Sequence, residues 1–397
     1  MLIKNAIVCD VDGEREVDVK IEEGIITAIG KDLSDSEIMD VKGAYLLPAL
    51  IDLNIRLKDG QLNSKNIQAI AKEAKKGGVG HIVLNADSMP AIDDEVVLEF
   101  AQNSLKAIND IKIDLMLNTL KEDMSLSNIA ILLKKGVIAP YMSTIAKNNL
   151  AIKIAEYVQM YGVTLFCKAE DNSLISSGVM LDGDVSSRLG LAGIPELSEV
   201  LHVSRMIEIA RYFDIKILFK AIASPRSVEL IAKAKDEGVK VSCEVSLQHL
   251  TQCDEACEDF NTTAKLNPPL ASKNDMLVLR EALQKGLIDT LTTLHQPNSP
   301  VNKEVAFFDA AYGCEALSDA LPLYYTKLVK SGIISMRELL KLIVQNPANI
   351  IAREAGKIEV GQRTDLILFD TKKRYVVKNQ QSLYDGEELF GSVEQIV

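Results

Sequence analysis

The stretch LPALIDLNIRLKDG, Leu47 to Gly60, alternates from Ile51 to Lys58: Ile51, Leu53, Ile55 and Leu57 are apolar, whereas Asp52, Asn54, Arg56 and Lys58 are polar or charged. A period of two marks a strand with two unlike faces. Seven further runs share its character: HIVLNA, KIDLMLN, GVIAPYM, VTLFCKA, KILFKAIA, VKVSCEVS and IDTLTTL. Helix-period segments separate most of them. SKNIQAIAKEAKKGG places Ile67, Ile70, Ala71 and Ala74 on one face and stops at glycine, and PELSEVLHVSRMIEIARYF and SPRSVELIAKAKDEG repeat the pattern. Eight strand-then-helix units over roughly 300 residues predict an α/β (β/α)8 TIM-type barrel. An open doubly wound sheet would carry a Gly-rich phosphate loop after its first strand, and none is present.

The two ends read differently. MLIKNAIVCDVDGEREVDVKIEEGIITAIGKDL is a series of short alternating runs broken by DVDGE and EEG, a hairpin pattern. GKIEVGQRTDLILFD and RYVVK read as further short strands separated by turns. Neither end has enough apolar surface for its own core, so residues 1–48 and 351–397 are expected to combine into one small β-sandwich domain beside a barrel of residues 49–350.

Composition narrows the function classes. With 397 residues, 47% apolar and 25% charged, the chain is globular rather than disordered. A net charge of −12 disfavours nucleic acid and anionic membrane as partners. No run approaches membrane-spanning length, and the first residues lack a signal peptide's apolar core, so the cytoplasm is the expected compartment. The six cysteines are scattered, and Cys253 and Cys257 form a C-x3-C pair with no second pair or nearby histidine; they read as ordinary thiols.

In a barrel, function sits where strands run into the following loops. If the apolar set of the first strand faces the helices, Asp52, Asn54, Arg56 and Lys58 point into the barrel mouth. Such a polar mouth is site-like, yet these residue types suit neither a nucleophile nor a metal. Glu170 and Asp171 are adjacent in sequence, whereas a glycosidase needs two carboxylates facing each other across a cleft. No G-x-S-x-G elbow occurs. Lys168 and Lys220 are formal candidates for Schiff-base lysines. Of the four histidines, His202 lies in a helix pattern, as a surface or packing residue, and His81 starts the second strand, away from the mouth.

Here the chain resembles the amidohydrolase superfamily, and within it the dihydroorotases of pyrimidine biosynthesis. The resemblance runs almost end to end through LPALIDLNIRLKDG, CKAEDNSL, LAGIPELSEVLHVSRMIEIA, SPRSVELI, NPPLASKND, GLIDTLTTLHQP, LPLYY, QNPANI and GKIEVGQRTDLILFD. It implies one or two zinc ions held by H-x-H on the first strand, a carboxylate or carboxylated lysine on the fourth, histidines on the fifth and sixth, and an aspartate on the eighth. Zinc would lower the pKa of a water that attacks the substrate ring.

Transferred residue by residue, the resemblance places Asn54 and Arg56 at the two H-x-H positions, Met142 or Ser143 at the fourth-strand ligand, and Lys168 and Ala221 at the fifth- and sixth-strand histidines. Leu294 takes the place of the aspartate in the family's T-D-H-A-P, while His295 keeps its histidine. Lys58 falls on the substrate arginine, Asp87 on an asparagine, Asn267 on a substrate-contacting asparagine, and Ala271 on an arginine. His249 matches the second histidine of the family's P-H-H-L, which is not a ligand. The expectation is therefore a degenerate pocket at Asn54, Arg56, Lys168, Ala221 and Leu294. No catalytic residue, metal ligand or cofactor is retained, and Lys58, Asp87, Asn267 and His295 are the residual substrate-binding candidates.

Arg56 and Lys168 are expected to fill the metal cavity and neutralise carboxylates such as Asp52 or Glu170. The resemblance further implies self-association and, by precedent among metal-less dihydroorotase-like chains, a complex with aspartate carbamoyltransferase. The alternatives are an active cyclic amidohydrolase with an atypical site and a non-hydrolytic ligand-binding protein.

Overall fold

A computed structural model describes residues 1–363 and 365–396. Thr364, within GKIEVGQRTDLILFD, and Val397 lie outside the described residues. The eight expected strands form one parallel eight-stranded sheet in sequential order: Leu50–Ile55, Val79–Leu84, Lys112–Asn118, Ala139–Met142, Thr164–Lys168, Lys216–Lys220, Val241–Ser246 and Thr290–Thr292. They are called the first to eighth strands below. Register is regular across the middle of the sheet, with Phe166 opposite both Tyr141 and Leu218.

The eighth strand returns to the first. Asp52 accepts hydrogen bonds from Thr292 Oγ1 (2.7 Å), Thr293 N (2.8 Å) and Thr293 Oγ1 (2.6 Å). One buried carboxylate thus clasps the barrel at its seam, and the Arg56 amide bonds the His295 carbonyl just above it.

Helices cover the outer face. Ser64–Lys76 buries Ile67, Ile70, Ala71 and Ala74, the four residues its period selects, and the Asn63 side chain caps it through the Asn66 amide. Its terminal Gly77 is required by close approach: a Cβ there would sit 1.8 Å from the Leu317 carbonyl oxygen. The helices Leu197–Phe213 and Pro225–Asp236 follow the same pattern, the second capped by Ser224.

The chain ends meet in one seven-stranded sheet that joins Leu2–Asp10, Gly13–Glu22, Ile25–Gly30, Ile38–Asp40 and Tyr45–Pro48 to Leu366–Val376 and Glu388–Ile396. Its apolar cluster draws Ile3, Val8, Val19, Ile26 and Leu46 from one end and Ile358, Leu366 and Leu368 from the other. Two separate strands were expected around LILFD and RYVVK. They are one continuous strand, Leu366–Val376, with a register irregularity between Asp370 and Arg374. A bulge absorbs the break that the polar residues TKK suggest. Tyr45–Pro48 belongs to this sheet and Leu50–Ile55 to the barrel, so the opening stretch is the hinge between the two parts.

Candidate functional site

The first strand delivers its polar side chains inward, but only as far as it remains a strand. Asp52 and Asn54 are buried and Arg56 is half-buried at the mouth. Past Leu57 the chain turns into the short 3-10 segment Lys58–Gly60, with Asp59 at φ 53° and Gly60 at φ 67°. Lys58 is consequently exposed and does not line the mouth, contrary to the expectation from strand parity.

Three cations and three carboxylates meet at the mouth. Arg56 Nη2 lies 3.0 Å from Asp87 Oδ2 and donates to the Tyr141 hydroxyl at 3.2 Å. Burial pushes the Asp87 carboxyl up, but the neighbouring guanidinium outweighs it and holds the group below the usual carboxylate range. Lys168 Nζ pairs with Glu170 Oε1 at 2.8 Å. Deeper in, Lys220 Nζ donates to the Leu53 carbonyl (2.7 Å) and to Asn85 Oδ1 (2.5 Å). Asn85 Nδ2 donates to Asn54 Oδ1 (2.8 Å), and Asn54 Nδ2 donates to Glu244 Oε1 (2.6 Å).

The expected pairing of Arg56 with Asp52 is therefore corrected. Asp52 is satisfied by the two threonines of the seam, and Arg56, inward but nearer the rim, pairs with Asp87. Lys168 does meet Glu170. Lys220 and Glu244 are the members of this network that sequence reasoning missed as a pair. Burial lowers the Lys220 pKa, opposed by the attraction of Glu244, and burial raises that of Glu244, opposed by Lys220.

Asn54, Arg56, Tyr141, Lys168, Glu170, Lys220, Ala221, Asn267 and Leu294 surround what space remains, a cavity of about 20 Å3. That is room for about one water molecule. Ala221 and Leu294 hold left-handed backbone conformations, φ 51° and φ 46°, at the ends of the sixth and eighth strands. Non-glycine residues rarely adopt this region, and such strain concentrates at functional sites. Asn267 reaches the cavity, where its Oδ1 is buried without a hydrogen-bond partner.

Other expected residues lie elsewhere. His295 is buried behind the mouth: its Nδ1 accepts the amides of Ala316 and Leu317, and its Nε2 lies 3.1 Å from Glu73 Oε2. Ser143 donates to Asn118 Oδ1, and Met142 is core. His81 pairs with Asp114, His202 contacts Cys167, and His249 bridges Ser246 and the Pro268 and Pro269 carbonyls. All six cysteines are free. Among the described residues no group of three or more His, Cys, Asp or Glu side chains is placed to hold a metal ion, and no helix is long and apolar enough to cross a membrane.

Beyond the Lys168–Glu170 pair and Pro268 opens a wider cleft of about 540 Å3, which includes Ala271. Eight of its lining side chains are carboxylates, against Arg188 and Lys273. Both basic groups are already paired, with Glu258 and Glu255 respectively. Electrostatically this cleft opposes an anionic ligand. The loop after the eighth strand is pinned from within: Lys303 Nζ donates to the carbonyls of Thr262 (2.6 Å), Ala311 (2.9 Å) and Gly313 (2.8 Å), and Lys265 Nζ to those of Phe307 and Phe308.

Comparison with known proteins gives a consistent kinship. The chain is 34% identical over 411 residues to a dihydroorotase of Elusimicrobium minutum, spanning 99% of this chain and 95% of that relative. It is 32% identical over 417 residues to a dihydroorotase of Caldanaerobacter subterraneus, spanning 100% and 95%. No family model matches it. Among solved structures, the L-hydantoinase (dihydropyrimidinase) from Arthrobacter aurescens superposes with a TM-score of 0.88 at 21% identity, over 99% of this chain and 93% of that one. At that identity the likeness speaks for the barrel fold alone.

Proposed function

This chain belongs to the dihydroorotase family, and we propose that within it the protein is a non-catalytic member, a self-associating cytoplasmic scaffold that supports assembly of aspartate carbamoyltransferase. One observation carries the reading. The barrel mouth is filled by its own side chains, with Arg56–Asp87 and Lys168–Glu170 ion pairs around a cavity of about 20 Å3.

Zinc does not fit this donor set. Charged lysine and arginine offer no lone pair, Ala221 and Leu294 offer no polar atom, and the amides of Asn54 and Asn85 are committed to each other and to Glu244 and Lys220. Without zinc water keeps its high bulk pKa, and no side chain at the mouth is placed to replace that activation. The acidic cleft beside the mouth also disfavours the carboxylate-bearing dihydroorotate. Strained backbone at Ala221 and Leu294 supports reading the mouth as the remnant of a ligand-bearing site.

Full-length kinship with dihydroorotases favours the competing reading, an active cyclic amidohydrolase. Isolation of the chain from its native cells separates the two. The scaffold reading expects aspartate carbamoyltransferase to co-purify and to lose assembly and activity when this chain is deleted. Full assembly and activity of the transferase without the chain would refute it.

A further inference from the structure

The deepest cation at the mouth is the ammonium of Lys220, not the guanidinium of Arg56. Lys220 is 3% exposed, and its Nζ is bound by a main-chain carbonyl, Leu53, and a side-chain carbonyl, Asn85. The rings of Tyr141 and Phe166 stand 5.2 and 5.4 Å from it, centroid to nitrogen, and present further electron density to the charge. Its countercharge, Glu244, is fully buried.

Two asparagines connect the charges. Asn85 turns its oxygen to the ammonium and its nitrogen to Asn54; Asn54 turns its oxygen to Asn85 and its nitrogen to Glu244. Both amides are therefore oriented in one sense, from cation to anion. Glu244 Oε1 also accepts the Ala221 amide at 3.2 Å, so the network holds the strained end of the sixth strand.

We propose that the barrel interior is a cation-binding site in which the Leu53 carbonyl and Asn85 Oδ1 contact the ion while Asn54 and Glu244 stand behind Asn85 as its relay and countercharge, and that the Lys220 ammonium occupies it permanently and intramolecularly. With Lys220 in place the site takes no ion from solution, and once vacated it takes a compact monovalent cation of the ammonium class, matched to two carbonyl acceptors and one buried carboxylate. This rests on the misfit to zinc given above but not on the assembly role; loss of the transferase association would leave it standing. A lysine on this strand makes the interior self-sufficient: the carboxylate finds its countercharge as soon as the barrel closes, with no ion drawn from solution.

Vacating the site tests it. Lys220→Ala removes the tethered ammonium and leaves the cavity and its acceptors. The purified K220A chain should melt below the wild type, and methylammonium chloride should raise its melting temperature relative to equal tetramethylammonium chloride, a cation too large to enter. Wild type should show no such difference, and K220A/E244Q should lose it. A K220A chain indifferent to methylammonium, or a wild type that responds equally, overturns the proposal. Should K220A fail to fold, K220M, E244Q and the double variant provide the test. The account expects K220M/E244Q to melt above both single variants, because each single change strands one buried charge. Additive losses, or K220M as stable as wild type, would overturn it.

Discussion

Arg56 and Asp87 face each other at 3.0 Å across the rim of the barrel, and Tyr141 completes the contact from the fourth strand. Both side chains are largely covered, at 16% and 27% exposure, so the pair is only partly screened by water. Arg56→Met should destabilise the chain by about 1–2 kcal/mol and raise the Asp87 pKa, because burial is then opposed only by the weaker pull of Lys168 and Lys220. Adding Asp87→Asn should recover part of the loss. Urea unfolding of the two singles and the double measures the coupling; strictly additive losses would show that the pair is not one.

Asp52 is the clasp of the barrel. It accepts three hydrogen bonds from Thr292 and Thr293 and a fourth from the Asn54 amide at 3.0 Å. Asp52→Ala leaves buried donors without partners on both sides of the seam, and the cost should reach roughly 3 kcal/mol or more. Denaturant midpoints report it. A loss below about 1 kcal/mol would mean that backbone pairing alone closes the barrel.

Acid stability should follow three buried groups. Burial holds His202 and His249 down to about 4 from 6.5, so their contribution is full above pH 6.5 and lost as pH falls through 4. Glu199 works in the opposite sense: burial raises it from 4.5 to about 7 against the Ala223 and Ser224 amides, so its contribution is full below pH 4.5 and lost as pH rises through 7. Glu199→Gln removes only the second effect. Between pH 4.5 and 6.5 the variant should lose stability on acidification more steeply than wild type, by up to about 1.4 kcal/mol per pH unit. Parallel curves would contradict the assignment.

Lys303 is a buried strut under the loop that follows the eighth strand. Lys303→Met removes donors from three carbonyls at once. Limited proteolysis should then cut within residues 296–316 much faster than in wild type, with a stability loss of about 2–4 kcal/mol. Unchanged cleavage would place the loop's rigidity elsewhere.

The barrel was legible because period-two strands, period-3.6 helices and their caps are local signals. Ile67, Ile70, Ala71 and Ala74 could be assigned to the core from spacing alone. The inward direction of Asp52, Asn54 and Arg56 was legible for the same reason. Their partners were not, because those are set by closure of the ring. Asp52 meets Thr292 and Thr293 some 240 positions away, and nothing local in TLTTL announces it. Strand parity points Arg56 to Asp52 because both face inward; the deeper carboxylate is already saturated, and a guanidinium there would be stripped of water. Alternation misplaces Lys58 because the strand ends at Ile55, three residues before the alternation does. Lys220 stood out only as a lysine in an apolar run, a signal that does not distinguish a nucleophile from an internal countercharge.

The proposed scaffold role requires a barrel that does not hydrolyse dihydroorotate. The measurement that tests it most directly is dihydroorotate turnover by the purified chain after incubation with zinc, run beside an active dihydroorotase. The account predicts no rate above that of buffer alone. Turnover that appears with zinc and disappears with a chelator would contradict it.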